Sequence, residues 1–193
     1  FDFFLDRALP ETVERLRSRG EKDLRVWCAG CSSGEEAYML MMLMMECLGK
    51  DYSSWNAGLL ATDISDRVLT VARNGIYSEE RIASLPDHLR KRYVTRLADG
   101  SWRMNDRLRA EITFRRFNLM NAVYPFKKPF HIIFCRNVMI YFDEQDKKRV
   151  VEKFHGLTEP EGFLFIGHSE TLGRKGGLYQ YIKPAIYQKS EAA

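Results

Sequence analysis

The feature that most constrains the fold is a repeated exchange between short apolar runs and segments of helical period. Leu24 to Cys28 reads as a buried strand, Gly30 to Gly34 as a turn, and Glu35 to Leu48 as a helix. Ala57 to Thr62 reads as a second strand ending in Asp63. Ser65 stands where it can cap a helix to about Arg73, which Asn74-Gly75 stops. Pro129 to Cys135 is a further strand, followed by a loop to Phe142 and an Asp143-capped helix to about Leu157. The Glu159-Pro160-Glu161-Gly162 turn leads into Phe163 to Gly167. Leu178 to Ile182 and Ala185 to Gln188 bracket Lys183-Pro184 and are expected to close the sheet as an antiparallel edge. The order predicts an α/β protein, a mostly parallel sheet with helices on both faces.

Between Ile76 and Phe117 this alternation lapses. Charged helical turns through Tyr93 lead to a short alternating stretch (Ser101 to Met104), an Asn105-Asp106 turn and a longer strand, Arg107 to Phe117. Together they predict an insert at about 76–116 with a small antiparallel hairpin. Charge concentrates here: residues 73–116 hold 11 Lys and Arg against 6 acids, a net of +5, while the chain as a whole is only +4. A solvated face explains this as readily as a surface for an acidic partner, whose binding would weaken with salt.

Composition excludes several classes. With 45% hydrophobic and 29% charged residues, 193 residues suffice for one sizeable core. The longest apolar run, Ala37 to Met45, is too short to span a bilayer, and Phe1 to Arg7 lacks the pattern of a secretory signal. A cytoplasmic, monomeric protein without membrane insertion is expected, and a start at Phe1 reads as a piece of a longer chain. Four cysteines, at 28, 31, 47 and 135, are too scattered for a disulfide framework. Cys28 and Cys31 form a C-x-x-C, but no second pair follows, so no metal is expected. Five of the eight methionines lie between Met39 and Met45, where unbranched thioethers suit packing under a sheet.

Residues 26–36 join strand to helix through small residues, a turn that lets a ligand approach the backbone near Gly30. A tight turn with no ligand is an equal reading. Glu35 and Glu36 open the helix, which disfavours a pyrophosphate, and no Gly-Lys-Ser/Thr is present. Acidic residues suit a ligand with a cationic end, and S-adenosylmethionine carries both an ammonium and a sulfonium. Asp63, at the end of the second strand, is placed to accept both hydroxyls of a ribose; alone it reads as a turn residue, and the Gly30 to Gly34 turn shifts that balance. Asn118 and Leu119 follow the insert's last strand, where an amide can meet an adenine edge or simply make a turn. Arg136 to Tyr141 follows a buried strand at the sheet end where open α/β folds bind ligands, and polar residues there need partners.

These segments carry a family resemblance. Val26 to Tyr38, Ala61 to Ser65, Phe117-Asn118-Leu119, Ile133 to Phe142 and Gly167-His168-Ser169-Glu170 closely resemble the CheR family of chemotaxis-receptor methyltransferases, in the expected order over nearly the whole chain. The resemblance implies a Rossmann-like S-adenosylmethionine-dependent methyltransferase fold and methyl transfer to glutamate side chains of methyl-accepting chemotaxis receptors, with S-adenosylhomocysteine as product. On matching positions, Glu36, Asp63, Asn118, Leu119, Arg136 and Asn137 would bind the cofactor beside the Gly30 turn, and Tyr141 would lie beside the transferred methyl. The insert resembles the family's β-subdomain, which in some members docks a receptor-tail peptide by strand addition. Here the loop from Leu97 to Met104 is shorter, so tail binding is not expected. The family's N-terminal helical domain, and a Thr-x-Phe-Phe-Arg segment that completes the site, are expected upstream of Phe1.

A glutamate carboxylate is ionised at neutral pH, so its attack on a sulfonium methyl needs positioning and exclusion of water rather than a base. Tyr141 then shapes or hydrogen-bonds, or merely anchors the loop, and His168 reads as a structural histidine. Two alternatives remain. One is a nucleic-acid methyltransferase on the same fold, against which stands the absence of proline between Asn137 and Tyr141. The other is a cofactor-binding or receptor-docking module without turnover.

Overall fold

A computed structural model describes residues 1–172 and 177–190. A π-helical turn, Phe4–Ala8, runs into α1 (Leu9–Ser18), elements that the apolar pattern did not announce. Then follow β1 (Asp23–Ala29), α2 (Glu35–Leu48), β2 (Asn56–Asp63) and α3 (Asp66–Asn74). A smaller unit contains β3 (Ile76–Tyr77), α4 (Glu79–Ile82), α5 (Asp87–Tyr93), β4 (Val94–Arg96) and β5 (Trp102–Met104). The chain continues through α6 (Asp106–Ala110), β6 (Ile112–Arg116), β7 (Phe130–Cys135), α7 (Glu144–Gly156), β8 (Thr158–Ile166), β9 (Gln180–Lys183) and β10 (Ile186–Gln188).

The main sheet has the order β6-β2-β1-β7-β8-β10-β9, parallel from β6 to β8; the antiparallel β10 and β9 close it at one edge, as the sequence pattern predicts. Side chains of β1 alternate between its faces: Leu24, Val26 and Cys28 join α1, α2 and α3 in one core, and Trp27 and Ala29 join Val150 and Phe154 of α7 in the other. Because helices cover both faces, β7 buries all six residues, and its run is apolar apart from His131. Met41, Met42, Met44 and Met45 are buried within α2, which packs under the sheet on one side and meets the smaller unit on the other.

The structure corrects three expectations. The insert does not extend to 116: β3, β5 and β4 form a separate antiparallel sheet, whereas β6 pairs in parallel with β2 at the edge of the main sheet. The run from Arg107 was expected to be all strand, yet Asn105 caps a short helix by accepting from the Leu108 amide at 2.8 Å. Ser65 makes no side-chain cap; its amide instead donates to Asp63 Oδ1 at 3.0 Å. Asp143 does cap α7, accepting from the Asp146 amide at 2.8 Å. The Glu159 to Gly162 turn survives as an irregularity within β8, whose register against β7 shifts between Phe130 and Ile132.

Candidate functional site

A cleft of about 520 Å³ opens at the C-terminal ends of β1, β2, β6 and β7. Sheet order reverses between β1 and β7, the position where parallel α/β sheets leave a crevice. Gly30, Asp63, Asn118, Leu119, Arg136, Asn137 and Tyr141, all singled out from the sequence, line it together with Ser32, Ile64, Phe117, Val138 and Phe142. Glu36 does not line the cleft. It stands behind the lining, its Oε2 2.6 Å from Arg136 Nη1 and its Oε1 accepting from Cys28 Sγ at 3.6 Å.

Each lining residue is set by its strand end. Gly30 has φ +86 and donates its amide to Thr62 O at 2.7 Å, and a Cβ there would run into the Val138 side chain. The turn thus lets the loop after β7 lie against the loop after β1. Asp63 Oδ2 accepts from the Ser32 amide at 2.9 Å while Oδ1 holds Ser65, so each oxygen keeps a lone pair. Asn118 makes an Asx-type turn, its Oδ1 accepting from the Met120 amide at 2.9 Å, which satisfies the turn reading although the residue also faces the cleft wall. The Leu119 carbonyl accepts from the Tyr124 hydroxyl at 2.5 Å. Arg136 lies 5.5 Å from the Phe1 ring centroid, and Tyr141, 81% exposed, ends a 3₁₀ turn from Met139 at the rim.

Burial pushes the Cys28 and Cys135 thiols well above their ordinary range, and pushes Cys31 up to about 12 with a further rise from Asp63. All four cysteines are free thiols, and Cys28, Cys31 and Cys135 are buried, so the C-x-x-C is packing. Among the described residues no group of three His, Cys, Asp or Glu could hold a metal ion, and no helix is long and apolar enough to cross a membrane. His168 is exposed, which does not fit a buried structural histidine; the buried one is His131, whose Nδ1 accepts from the Arg25 amide at 3.0 Å.

The sequence analysis holds Ile64 and Glu170 within the family-like segments but gives neither a role. Ile64 is 56% exposed beside Asp63, and an apolar residue directly after a strand's terminal carboxylate is the signal that could have found it. Glu170 is buried, and its partners lie on a loop thirty residues upstream, which no local pattern reveals.

The donor set fits S-adenosylmethionine. Asp63 retains acceptor capacity for vicinal hydroxyls, and Ile64, Phe117, Leu119, Val138 and Phe142 form apolar walls for a flat ring. Arg136 brings a guanidinium to the cleft wall, held from behind by Glu36, and the pair suits the neighbourhood of an amino-acid end. The volume falls within the range for a ligand of that size.

Comparison with known proteins agrees. Residues 1–187 match the family model described as CheR methyltransferase, SAM binding domain. The chain is 41% identical over 190 residues to a chemotaxis protein methyltransferase of Borreliella burgdorferi, covering 98% of this chain and 67% of that one. It is 38% identical over 185 residues to the chemotaxis protein methyltransferase of Escherichia coli (94% and 64% covered). It is 34% identical over 197 residues to chemotaxis protein methyltransferase 1 of Pseudomonas aeruginosa (99% and 70% covered). The chain thus spans about two thirds of the length of these relatives. On the fold, the cleft and these matches, the chain belongs to the CheR methyltransferase family, of which it is the S-adenosylmethionine-binding domain.

Proposed function

We propose that the chain catalyses methyl transfer from S-adenosylmethionine to glutamate side chains of chemotaxis receptors, at their cytoplasmic face. The observation that carries this reading is the composition of the cleft. Among its described lining residues the one carboxylate, Asp63, already holds two backbone amides, and no histidine, lysine or cysteine is present. Such a site suits an acceptor that arrives ionised, as a glutamate does at neutral pH, rather than one that must lose a proton.

The bound cofactor supplies an electrophilic methyl on a sulfonium. Asp63 would hold the ribose hydroxyls, Asn118 and Leu119 the adenine side, and Arg136 with Glu36 the amino-acid end. Arg136 is held by Glu36 at 2.6 Å, so its guanidinium keeps one place near the rim. Tyr141, exposed at the mouth, would orient the acceptor carboxylate through its phenol and limit water around it. The three-stranded subdomain would form the receptor-docking unit. Its charge is less open than the composition suggests: Arg90 pairs with Glu79, Arg92 with Glu46, and Arg103 and Arg109 with Asp106. Lys91 of the subdomain and Arg107 of the following α6 are exposed without an acid partner among the described residues, and these would face an acidic receptor helix.

Incubation with methyl-labelled S-adenosylmethionine and either receptor-containing membranes or RNA tests this. Label is expected in receptor protein and lost in mild alkali, as for a methyl ester. Label in RNA, base-stable label, or cofactor binding without any transfer would overturn it.

A further inference from the structure

The geometry points to Glu170 as the positioning residue that holds Asn137 and Tyr141 in place at the cleft; this rests on the reading above that these two residues serve cofactor and acceptor. Glu170 is only 9% exposed. Its Oε2 accepts from the Gly167 amide at 2.5 Å and the Asn137 amide at 3.3 Å, and its Oε1 accepts from the Ile140 amide at 3.1 Å. One carboxylate therefore ties the end of β8 to the loop after β7, the loop that carries Arg136, Asn137 and Tyr141. Its own amide donates to Gly167 O at 3.0 Å, which closes the turn and fixes the side chain's direction.

Two features of the backbone depend on this tie. A Cβ on Gly167 would lie 2.7 Å from Glu170 Oε2 and 2.9 Å from the Asn137 nitrogen, so only glycine lets the two loops approach this closely. Asn137 has φ +58, a left-handed conformation that Asn enters more readily than most non-glycine residues, and its amide there points to Glu170. The Tyr141 phenol has no hydrogen bond among the described residues, so its place is set by the backbone of its turn. That turn is held by the Ile140 bond to Glu170 and by the Tyr141 amide donating to Val138 O at 3.2 Å. Three converging N–H groups call for a group that only accepts. A glutamine would turn an NH2 toward at least one of them.

The test is Glu170→Gln, with Glu170→Asp as the variant that keeps both acceptor oxygens. Amide hydrogen exchange is measured without cofactor, together with S-adenosylmethionine affinity by calorimetry and kcat and KM for receptor. In Glu170→Gln, exchange at Asn137 and Ile140 is expected to quicken about tenfold or more while β1 and β7 amides keep their protection, and kcat to fall about tenfold with a smaller change in KM. Glu170→Asp should recover part of both. Combined with Tyr141→Phe, the kcat loss should be smaller than the product of the two single losses, because both act through one group. Unchanged exchange at these amides, an unchanged kcat, a multiplicative double variant, or uniform loosening of the whole fold would each overturn the inference. If Glu170→Gln does not fold, Glu170→Asp decides by the same readouts, intermediate exchange supporting and unchanged exchange refuting. Should the receptor prove not to be a substrate, exchange and cofactor affinity still report on Glu170 separately.

Discussion

In the main sheet β7 buries every residue, whereas β4 in the three-stranded subdomain leaves Thr95 and Arg96 exposed and Val94 half-buried. The sheet is held by apolar area: Trp27 is fully buried and packs against Phe117, Tyr124, Phe126, Phe130 and Phe154. The subdomain has a smaller apolar base, including Tyr77, Ile82, Leu89 and Tyr93, and its outer face is laced by charge and rings. Arg90 stacks 3.9 Å from the Trp102 centroid and pairs with Glu79, which also accepts from Trp102 Nε1 at 2.6 Å. Apolar burial is not weakened by ionic screening, whereas exposed pairs are, so the two regions should respond to different perturbations. They are nonetheless joined at the cofactor loop: the Tyr77 hydroxyl donates to Ser33 O at 2.7 Å, and Arg81 pairs with Glu35.

The strongest way to break this contrast is Trp27→Ala. It should lower unfolding free energy by about 3–5 kcal/mol in denaturant titration, through the cavity left between sheet and α7. A change no larger than that of a surface substitution would show that the ring cluster is not what holds this face.

Next comes acid. Burial, with the Arg25 and Arg15 guanidinium groups beside it, holds His131 down at about 3 against an ordinary 6.5. Below pH 6.5 the unfolded chain takes a proton that the folded chain refuses. The stability is therefore complete above that pH and declines as pH falls toward 3. The slope of stability against pH over this window should be shallower in His131→Gln, and the imidazole should remain neutral by NMR at pH 5.

At the sheet's rim the expected effects are smaller and functional. Asp63→Ala should weaken S-adenosylmethionine binding by about 1–3 kcal/mol by calorimetry, through lost charged hydrogen bonds. Tyr141→Phe should lower turnover several-fold with cofactor affinity unchanged and stability within about 0.5 kcal/mol of the parent, as suits a side chain so exposed. An unchanged rate would remove the phenol from the reaction.

The smallest effect sharpens the contrast directly. Arg90→Ala, or added salt, should speed amide exchange about threefold in β4 and β5 and leave β1, β2 and β7 unaffected. Equal acceleration in both sheets would mean that they open as one unit.

Much of this arrangement was legible in the sequence because parallel strands buried on both faces leave unbroken apolar runs, and their C-terminal ends collect the ligand-facing residues. Gly30, Asp63 and the Arg136 to Tyr141 loop were found that way. The stretch from Arg107 to Phe117 misled because Leu108, Ala110, Ile112 and Phe114 alternate at strand period, and a five-residue helix is too short to display its own. The main-sheet position of β6 depends on pairing with β2, some fifty residues earlier, which alternation cannot encode. Glu36 enters the sequence reading through the family resemblance and stands behind the cleft wall rather than in it. Its partnership with Arg136 spans a hundred residues and became visible only in three dimensions.

The burial of three of the four thiols has a practical side. Cys28, Cys31 and Cys135 are closed off inside the packed sheet and its turn, while Cys47 at the end of α2 is partly accessible. A maleimide dye applied to the folded chain should therefore attach at one place, and denaturant should be needed to reach the rest. The molecule comes supplied with a single anchoring point for a fluorophore or spin label, at the C-terminal end of the methionine-rich helix near Arg17 of α1.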